Sequence, residues 1–117
     1  MRPTEPELAY LWDIRQSARQ IQRFVQGATR ESFLGNEILQ SAVARPLEII
    51  GEASRKVSAE TRAAHPEIPW SKMIGLRNLL IHQYFMINLD TIWNSIEQDI
   101  PVLLQNVEPL VPPEPES

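Results

Sequence analysis

The sequence predicts an all-α fold, an up-and-down bundle of four to five helices. Only four of the 117 residues are glycine, strand-like alternation is absent, and apolar residues recur at intervals of three and four. This spacing is the pattern of amphipathic helices packed on a common core. A chain of this length suits one domain. We expect residues 1–107 to form the helical domain and residues 108–117 a Pro/Glu-rich flexible tail.

The first helix is predicted from about residue 7 to 26, with Gly27 as its stop signal. An apolar stripe at helical spacing marks its buried face. Arg15, Arg19 and Arg23 follow one another at four-residue spacing and form one basic row. A solvated face is the ordinary interpretation of such a row, and an RNA-binding surface is the alternative.

The second helix is predicted to begin at Asn36, because asparagine is a favoured N-cap residue. Pro46 lies inside the helix and should kink or split it. Glu48 and Glu52 lie one turn apart on an otherwise apolar stretch. Since buried carboxylates need partners, we expect an arginine from another helix to pair with one of them. Ser58 is predicted to cap a short helix that ends before "HPEIP".

Two further helices complete the predicted bundle. Pro69 suits the first position of the next helix, where its missing N–H costs nothing. That helix carries "WSKMIGLRNLLIHQYF". Asn88 or Asp90 should open the last helix, which we expect to bend at Pro101. The segment "EPLVPPEPES" that follows is rich in proline and glutamate and is predicted to be extended or disordered.

Composition excludes several classes of protein. The chain has no cysteine, so disulfides and thiolate metal sites are excluded. It has only two histidines, far apart and without a nearby cluster of carboxylates, which argues against a zinc site. No apolar run has the length of a membrane span, and the first residues lack the apolar core of a signal peptide. We therefore expect a cytoplasmic protein without metal or cofactor.

The net charge of −4 is concentrated at the two ends of the chain. Residues 1–7 and 108–117 hold five acids and one base, and the remaining body carries ten of each. Eight of those ten basic residues are arginines, whose planar guanidinium binds phosphate with two hydrogen bonds. The charge distribution is thus compatible with an RNA partner without predicting one.

The segment "RNLLIHQYF" places polar side chains in an apolar, helix-like stretch. On a helical wheel Asn78 and His82 share one face, and Arg77 and Tyr84 share another. Arg77 and His82 lie about 140° apart, so one straight helix does not direct both at one atom. Two copies related by a two-fold axis would bring one arginine near the other histidine, with Gly75 allowing close approach. The wheel therefore favours a composite site at a dimer interface.

The segment resembles the Arg-x4-His-x-Tyr motif of the HepT-like toxins in the HEPN superfamily, with Asn78 as the polar residue expected after the arginine. Three blocks are similar in order: "LEIIGEA" (47–53), "HPEIPWSKMIGLRNLLIHQYF" (65–85) and "LDTIWNSIEQDIPVLL" (89–104). The resemblance covers about residues 8–107. The sequence departs from the family pattern at Pro46, at His65 and in its longer Pro-rich tail, none of which touches the motif.

This resemblance implies an HEPN-like all-α homodimer with metal-independent ribonuclease activity and no cofactor. It implies that Arg77, Asn78 and His82 form the catalytic site. It also implies a partner, an MNT-type nucleotidyltransferase antitoxin that adenylylates Tyr84. The chain would then be the toxin of a type VII-like HEPN/MNT toxin–antitoxin system.

These residue types suit RNA cleavage. RNA carries its own nucleophile, the 2′-OH, so a protein needs a proton-transfer group such as His82 and a phosphate-binding cation such as Arg77. Two alternatives remain open at this point. The chain is a non-catalytic binding partner or regulatory subunit of a nucleotidyltransferase, or it is a plain helical interaction module. The second alternative predicts that Arg77 pairs with Glu48 or Glu52.

Overall fold

The computed structural model describes residues 4–82 and 84–113, so the last four residues of the predicted tail lie outside it. All regular elements within these residues are helical, which confirms the all-α prediction. They are α1 (Glu5–Phe24), α2 (Arg30–Leu34), α3 (Glu37–Lys56), α4 (Ala59–Ala64), α5 (Trp70–Ile81) and α6 (Leu89–Val107), with 3-10 turns at Met86–Asn88 and Glu108–Leu110. None of these helices combines the length and the apolar character that crossing a membrane requires.

Helix α3 occupies the centre of the bundle. It packs against α1 on one side and α5 on the other, and α1 packs in turn against α6. The core between these helices consists of aliphatic side chains that are at most 1% exposed: Leu11, Ile14, Ile21, Val43, Leu47, Ile50, Ile92, Ile100 and Leu103. Burial of each such side chain favours folding by about 1.5–3 kcal/mol. The central position of α3 means that its residues can contact both α1 and α5.

Side-chain caps determine where several helices begin. The Asn36 side chain accepts a hydrogen bond from Leu39 N (3.0 Å), and the Ser58 hydroxyl accepts one from Thr61 N (3.1 Å). Both predicted caps are thus confirmed. Helix α1 starts two residues before the prediction, because Thr4 is its N-cap. Pro69 is the N-cap of α5 and not its first helical residue.

The short helix α2 is absent from the sequence prediction. Its N-cap is Thr29, whose hydroxyl accepts a hydrogen bond from Ser32 N at 3.1 Å. The helix buries Phe33 against Trp93, with 5.2 Å between the two ring centroids. This aromatic pair attaches the connection between α1 and α3 to α6.

Of the two effects predicted for Pro46, a kink or a split of the second helix, the split does not occur. Helix α3 runs without a break through Pro46, which is itself buried. Proline removes one backbone N–H and therefore one helical hydrogen bond. The neighbouring side chains Val43, Leu47 and Ile50 are buried on the same helix, and their packing holds it together across the proline.

The first residues of the predicted tail pack against α1, and the flexibility of the tail stays a prediction. Glu108 accepts hydrogen bonds from Nε (3.0 Å) and Nη2 (2.8 Å) of Arg19. Arg15 donates from Nη1 to the carbonyl of Pro112 at 2.9 Å, and Val111 is only 7% exposed. These contacts lie in the part of the tail that the structure describes.

Helices α3 and α5 approach most closely at Gly51. A Cβ atom at this position would lie 2.7 Å from the carbonyl oxygen of Met73 and would overlap Cβ of Arg77. Such distances are below van der Waals contact, so only glycine is compatible with this spacing of the helices. The close approach places Glu52, the next residue, beside Arg77.

Replacing Gly51 by alanine should lower the free energy of unfolding by about 1–3 kcal/mol, the usual cost of overpacking a core. Urea unfolding followed by circular dichroism measures this change. Gly35→Ala is the control, because its added Cβ would make only an ordinary van der Waals contact, 3.7 Å from the carbonyl oxygen of Glu31. The control should unfold with about the same free energy as the wild type. Equal stability of Gly51→Ala and the wild type would contradict the close packing described here.

The buried carboxylate of Glu7 joins the starts of two helices. It accepts hydrogen bonds from Ser58 N (2.9 Å) and the Thr61 hydroxyl (2.8 Å) at the start of α4, and from Thr4 N (3.3 Å) at the start of α1. The pKa of Glu7 is lowered from 4.5 to about 2, chiefly by hydrogen bonding from the side chain of Ser58, while burial opposes the shift. Glu7 is therefore ionised in the folded protein throughout the neutral range.

This lowered pKa predicts an acid-dependent loss of stability. The contribution of Glu7 is complete above pH 4.5 and is lost as the pH falls through about 2, because the unfolded chain binds the proton more tightly. Glu7→Gln should lower the free energy of unfolding at pH 7 by about 1.5–3 kcal/mol. It should also flatten the pH dependence below pH 4.5. Urea unfolding across this pH range tests both effects, and an unchanged acid slope in the variant would contradict them.

Candidate active site

Helix α5 presents its apolar face to the core. Met73 and Leu76 are 1% and 3% exposed, and Leu79 and Leu80 pack against the core from its edge. At the start of the helix the indole N–H of Trp70 donates a hydrogen bond to the carbonyl of His65 at 3.0 Å. These contacts fix the rotation of α5 and with it the direction of each polar residue.

Arg77 points from α5 towards α3 and forms an ion pair with Glu52. Its Nε lies 2.6 Å from Oε2 of Glu52, and the two side chains are 20% and 32% exposed. Neither atom has a hydrogen-bond partner, so the contact is an ion pair without hydrogen-bond geometry. The predicted pairing of a glutamate on α3 with an arginine from another helix is thus confirmed. Glu48 pairs instead with Arg45 on its own helix, at 3.2 Å.

Glu52 is surrounded by cations. Its side chain accepts a hydrogen bond from Arg55 (3.1 Å) and lies 3.6 Å from Nζ of Lys56. The hydrogen bond from Arg55 is the largest cause that lowers the pKa of Glu52, and the charges of Arg55, Arg77 and Lys56 add to it against the effect of burial. The carboxylate is therefore ionised near neutral pH and acts as an anion that holds Arg77.

The remaining motif residues lie on the solvent side of α5 or beyond its end. Asn78 is exposed on the last turn, and His82 is the exposed C-cap residue. The backbone N–H of His82 donates to the carbonyl of Asn78 at 3.0 Å, so the two residues follow each other by one turn. No hydrogen bond or ion pair between Arg77 and His82 occurs within the described residues.

The wheel position of Tyr84 beside Arg77 is wrong. It assumed a helix through Phe85, whereas α5 ends at Ile81. The chain turns after the helix so that Phe85 can be buried at 9% exposure, and the Asn88 side chain donates to the carbonyl of Tyr84 at 2.6 Å. Tyr84 consequently lies in the connection to α6 with 54% of its surface exposed.

The predicted basic row on α1 is not an open cationic surface. Arg15 is only 2% exposed and binds the chain near Pro112, while Arg19 pairs with Glu108. Arg23 is exposed, and its role in RNA binding stays a prediction. RNA binding by Arg15 and Arg19 likewise stays a prediction, although in this structure both side chains contact the C-terminal segment.

An open cavity of about 410 Å³ lies beside Arg77, between α1, α3 and α5. Its wall is polar and is formed by Tyr10, Asp13, Arg45, Glu48, Ile49, Glu52, Ala53, Lys56 and Arg77. Tyr10 and Asp13 line this cavity but were not among the residues predicted from the sequence. Their three-residue spacing on α1 places them on one face, but nothing local shows that this face meets Arg77.

A second groove of about 470 Å³ lies between α5 and α6 and is mainly apolar. Gly75, Leu76 and Leu79 form its α5 wall. Within the described residues no group of three or more histidine, aspartate or glutamate side chains is placed to hold a metal ion.

Comparison with known proteins identifies similar chains. The family described as "Ribonuclease HepT-like" matches residues 14–110. "Putative RNase MJ1380" of Methanocaldococcus jannaschii is 41% identical over 100 residues, which cover 86% of this chain and 92% of the relative. "Probable ribonuclease HepT" of Thermococcus cleftensis is 41% identical over 101 residues, with the same two coverages of 86% and 92%. No solved structure gives a significant match.

Proposed function

The chain belongs to the ribonuclease HepT-like family, and on this basis we propose that it is a metal-independent endoribonuclease. The proposed catalytic site consists of Arg77, Asn78 and His82. The observation that carries this proposal is the family match over residues 14–110, which contain the complete Arg-x4-His-x-Tyr motif. Two relatives that are named as ribonucleases, and that this chain matches along most of their length, support the same activity.

Arg77 binds the scissile phosphate in this proposal. Glu52 contacts the guanidinium at Nε, and no described residue binds its two terminal nitrogens. Those nitrogens can donate two parallel hydrogen bonds to the non-bridging oxygens of a phosphate. As negative charge accumulates on these oxygens in the transition state, the contact strengthens and lowers the barrier.

His82 transfers the protons. It removes the proton from the 2′-OH, whose oxygen attacks phosphorus, or it protonates the 5′-oxygen as that oxygen leaves. The products are a 2′,3′-cyclic phosphate and a free 5′-hydroxyl end. Asn78, one helical turn before His82, orients the imidazole or donates to the phosphate. The exposure of both side chains supports access of an RNA strand to this face.

The proposed active assembly is a homodimer. Arg77 faces α3 while His82 is exposed at the end of α5, so a second copy is the simplest way to bring the two groups to one phosphate. Gly75, with open space around it, and the apolar groove beside it suit close approach of another helix. One copy then supplies the guanidinium and the other the imidazole.

We further propose that an MNT-type nucleotidyltransferase antitoxin silences this toxin in the cytoplasm. The exposed side chain of Tyr84 lies outside any helix and suits modification by another enzyme. Its hydroxyl would attack the α-phosphate of ATP, releasing pyrophosphate. The added nucleotide carries negative charge and bulk, and both would exclude RNA phosphate from the site.

A plain helical interaction module is the second candidate function. The Arg77–Glu52 pair favours it, because a purely structural arginine is expected to pair with a carboxylate in this way. Family membership favours the ribonuclease. The role of His82 separates the two candidates, since only the ribonuclease needs its imidazole.

The test of the ribonuclease is cleavage of total RNA by the purified protein in the presence of EDTA. His82→Ala should lower the cleavage rate by about 10²–10⁴-fold, the usual contribution of a positioned acid or base. His65→Ala is the matched control, because it removes the one other histidine, and it should retain activity. Equal cleavage by His82→Ala and the wild type would contradict the assignment, and so would cleavage that EDTA abolishes.

The test of silencing uses Tyr84→Phe with an MNT-type nucleotidyltransferase and ATP. The variant should still cut RNA but should not accept the adenylyl group, as mass spectrometry would show. Tyr10→Phe is the matched control, because it removes the one other tyrosine and should still be modified. Adenylylation of Tyr84→Phe at the wild-type level would show that another residue is the acceptor.

A further inference from the structure

The cavity beside Arg77 has the size of a ligand site. Its volume of about 410 Å³ falls in the range of about 300–1,000 Å³ that is usual for ligand pockets. Arg77 forms part of the wall, so a group bound in the cavity lies next to the guanidinium proposed to bind phosphate. The RNA nucleotide next to the scissile phosphate is therefore the natural occupant of the cavity.

The charges on the cavity wall do not favour a free anion. Three cations, Arg45, Lys56 and Arg77, stand beside three carboxylates, Asp13, Glu48 and Glu52. Two of these carboxylates form ion pairs, Glu48 with Arg45 and Glu52 with Arg77. Asp13 has no ion-pair or hydrogen-bond partner among the described residues. The carboxylate of Asp13 is thus available to accept a hydrogen bond, which suits a neutral ligand that carries a hydrogen-bond donor.

Tyr10 provides an aromatic face in the same wall, one helical turn before Asp13. Nζ of Lys56 lies 5.7 Å from the centroid of its ring. An exposed contact of this kind is weak, and stacking of a nucleobase on an aromatic ring is stronger. A base can therefore replace the ammonium group on the ring, and the flexible lysine can move to a backbone phosphate.

We propose that this cavity is a base-binding subsite for the nucleotide next to the phosphate that Arg77 holds. Tyr10 stacks on the base, and Asp13 accepts a hydrogen bond from its exocyclic amino group. This inference rests on the proposed ribonuclease function and adds a substrate preference to it. Carboxylates accept from the N4 amino group of cytosine, whereas uracil has no amino group to donate. The subsite therefore favours cytosine over uracil.

The test measures binding of short oligocytidylate and oligouridylate by fluorescence anisotropy. His82→Ala serves as the parent protein, so that the RNA is not cut during the measurement. Tyr10→Leu in this parent should weaken binding of both oligonucleotides by about 5–150-fold, which corresponds to about 1–3 kcal/mol of stacking at about 1.4 kcal/mol per tenfold. Tyr10→Phe, which keeps the ring, should bind as the parent does.

Asp13→Ala should remove the preference for oligocytidylate while leaving the binding of oligouridylate unchanged. This second variant keeps the test valid if Tyr10→Leu fails to fold. Glu97→Ala on α6 is the matched control, because it removes an exposed carboxylate that does not line the cavity. It should bind both oligonucleotides as the parent does.

The outcomes test the base-binding subsite and the ribonuclease activity independently. If the wild type cuts RNA but the folded Tyr10→Leu and Asp13→Ala variants bind like the parent, the subsite is overturned and the ribonuclease stands. Equal affinity of the parent for the two oligonucleotides also overturns the subsite. If the expected binding pattern appears while the wild type cuts no RNA, the subsite is supported and the proposed catalysis fails.

Discussion

The close contact of α3 and α5 at Gly51 is the constraint on which the candidate site depends. The carbonyl of Met73 and the stem of Arg77 occupy the space that any larger residue at position 51 would fill. This spacing lets Glu52 reach Arg77 across the two helices with an Nε–Oε2 distance of 2.6 Å. A wider separation would leave the half-buried arginine without its carboxylate and would open the wall of the cavity beside it.

The ion pair also explains how a half-buried arginine can serve a reaction. Glu52 stays ionised because its hydrogen bond from Arg55 and the nearby charges lower its pKa. It therefore holds the guanidinium in one direction and leaves two nitrogens for a phosphate. Such preorganised donors need little rearrangement as charge develops. Because Arg77 points towards α3 whereas His82 is exposed at the end of α5, catalysis as proposed uses a second copy.

The sequence by itself determined the helical fold, the starts of α3 and α4, and the family. Each depends on residues close together in the chain. Helical spacing of apolar residues predicts helices, Asn36 and Ser58 cap the residues that follow them, and the motif from Arg77 to Tyr84 spans eight positions. The same local logic allowed a split at Pro46 that does not occur, because packing on both sides of the helix outweighs one missing hydrogen bond.

Only the tertiary structure decided which groups meet. It paired Arg77 with Glu52 and not Glu48, covered Arg15 with a segment 97 residues further along the chain, and brought Tyr10 to the cavity. It also ended α5 before Tyr84, because burial of the next residue turns the chain. These outcomes depend on contacts between distant residues, and local spacing carries no information about which helix faces will pack together.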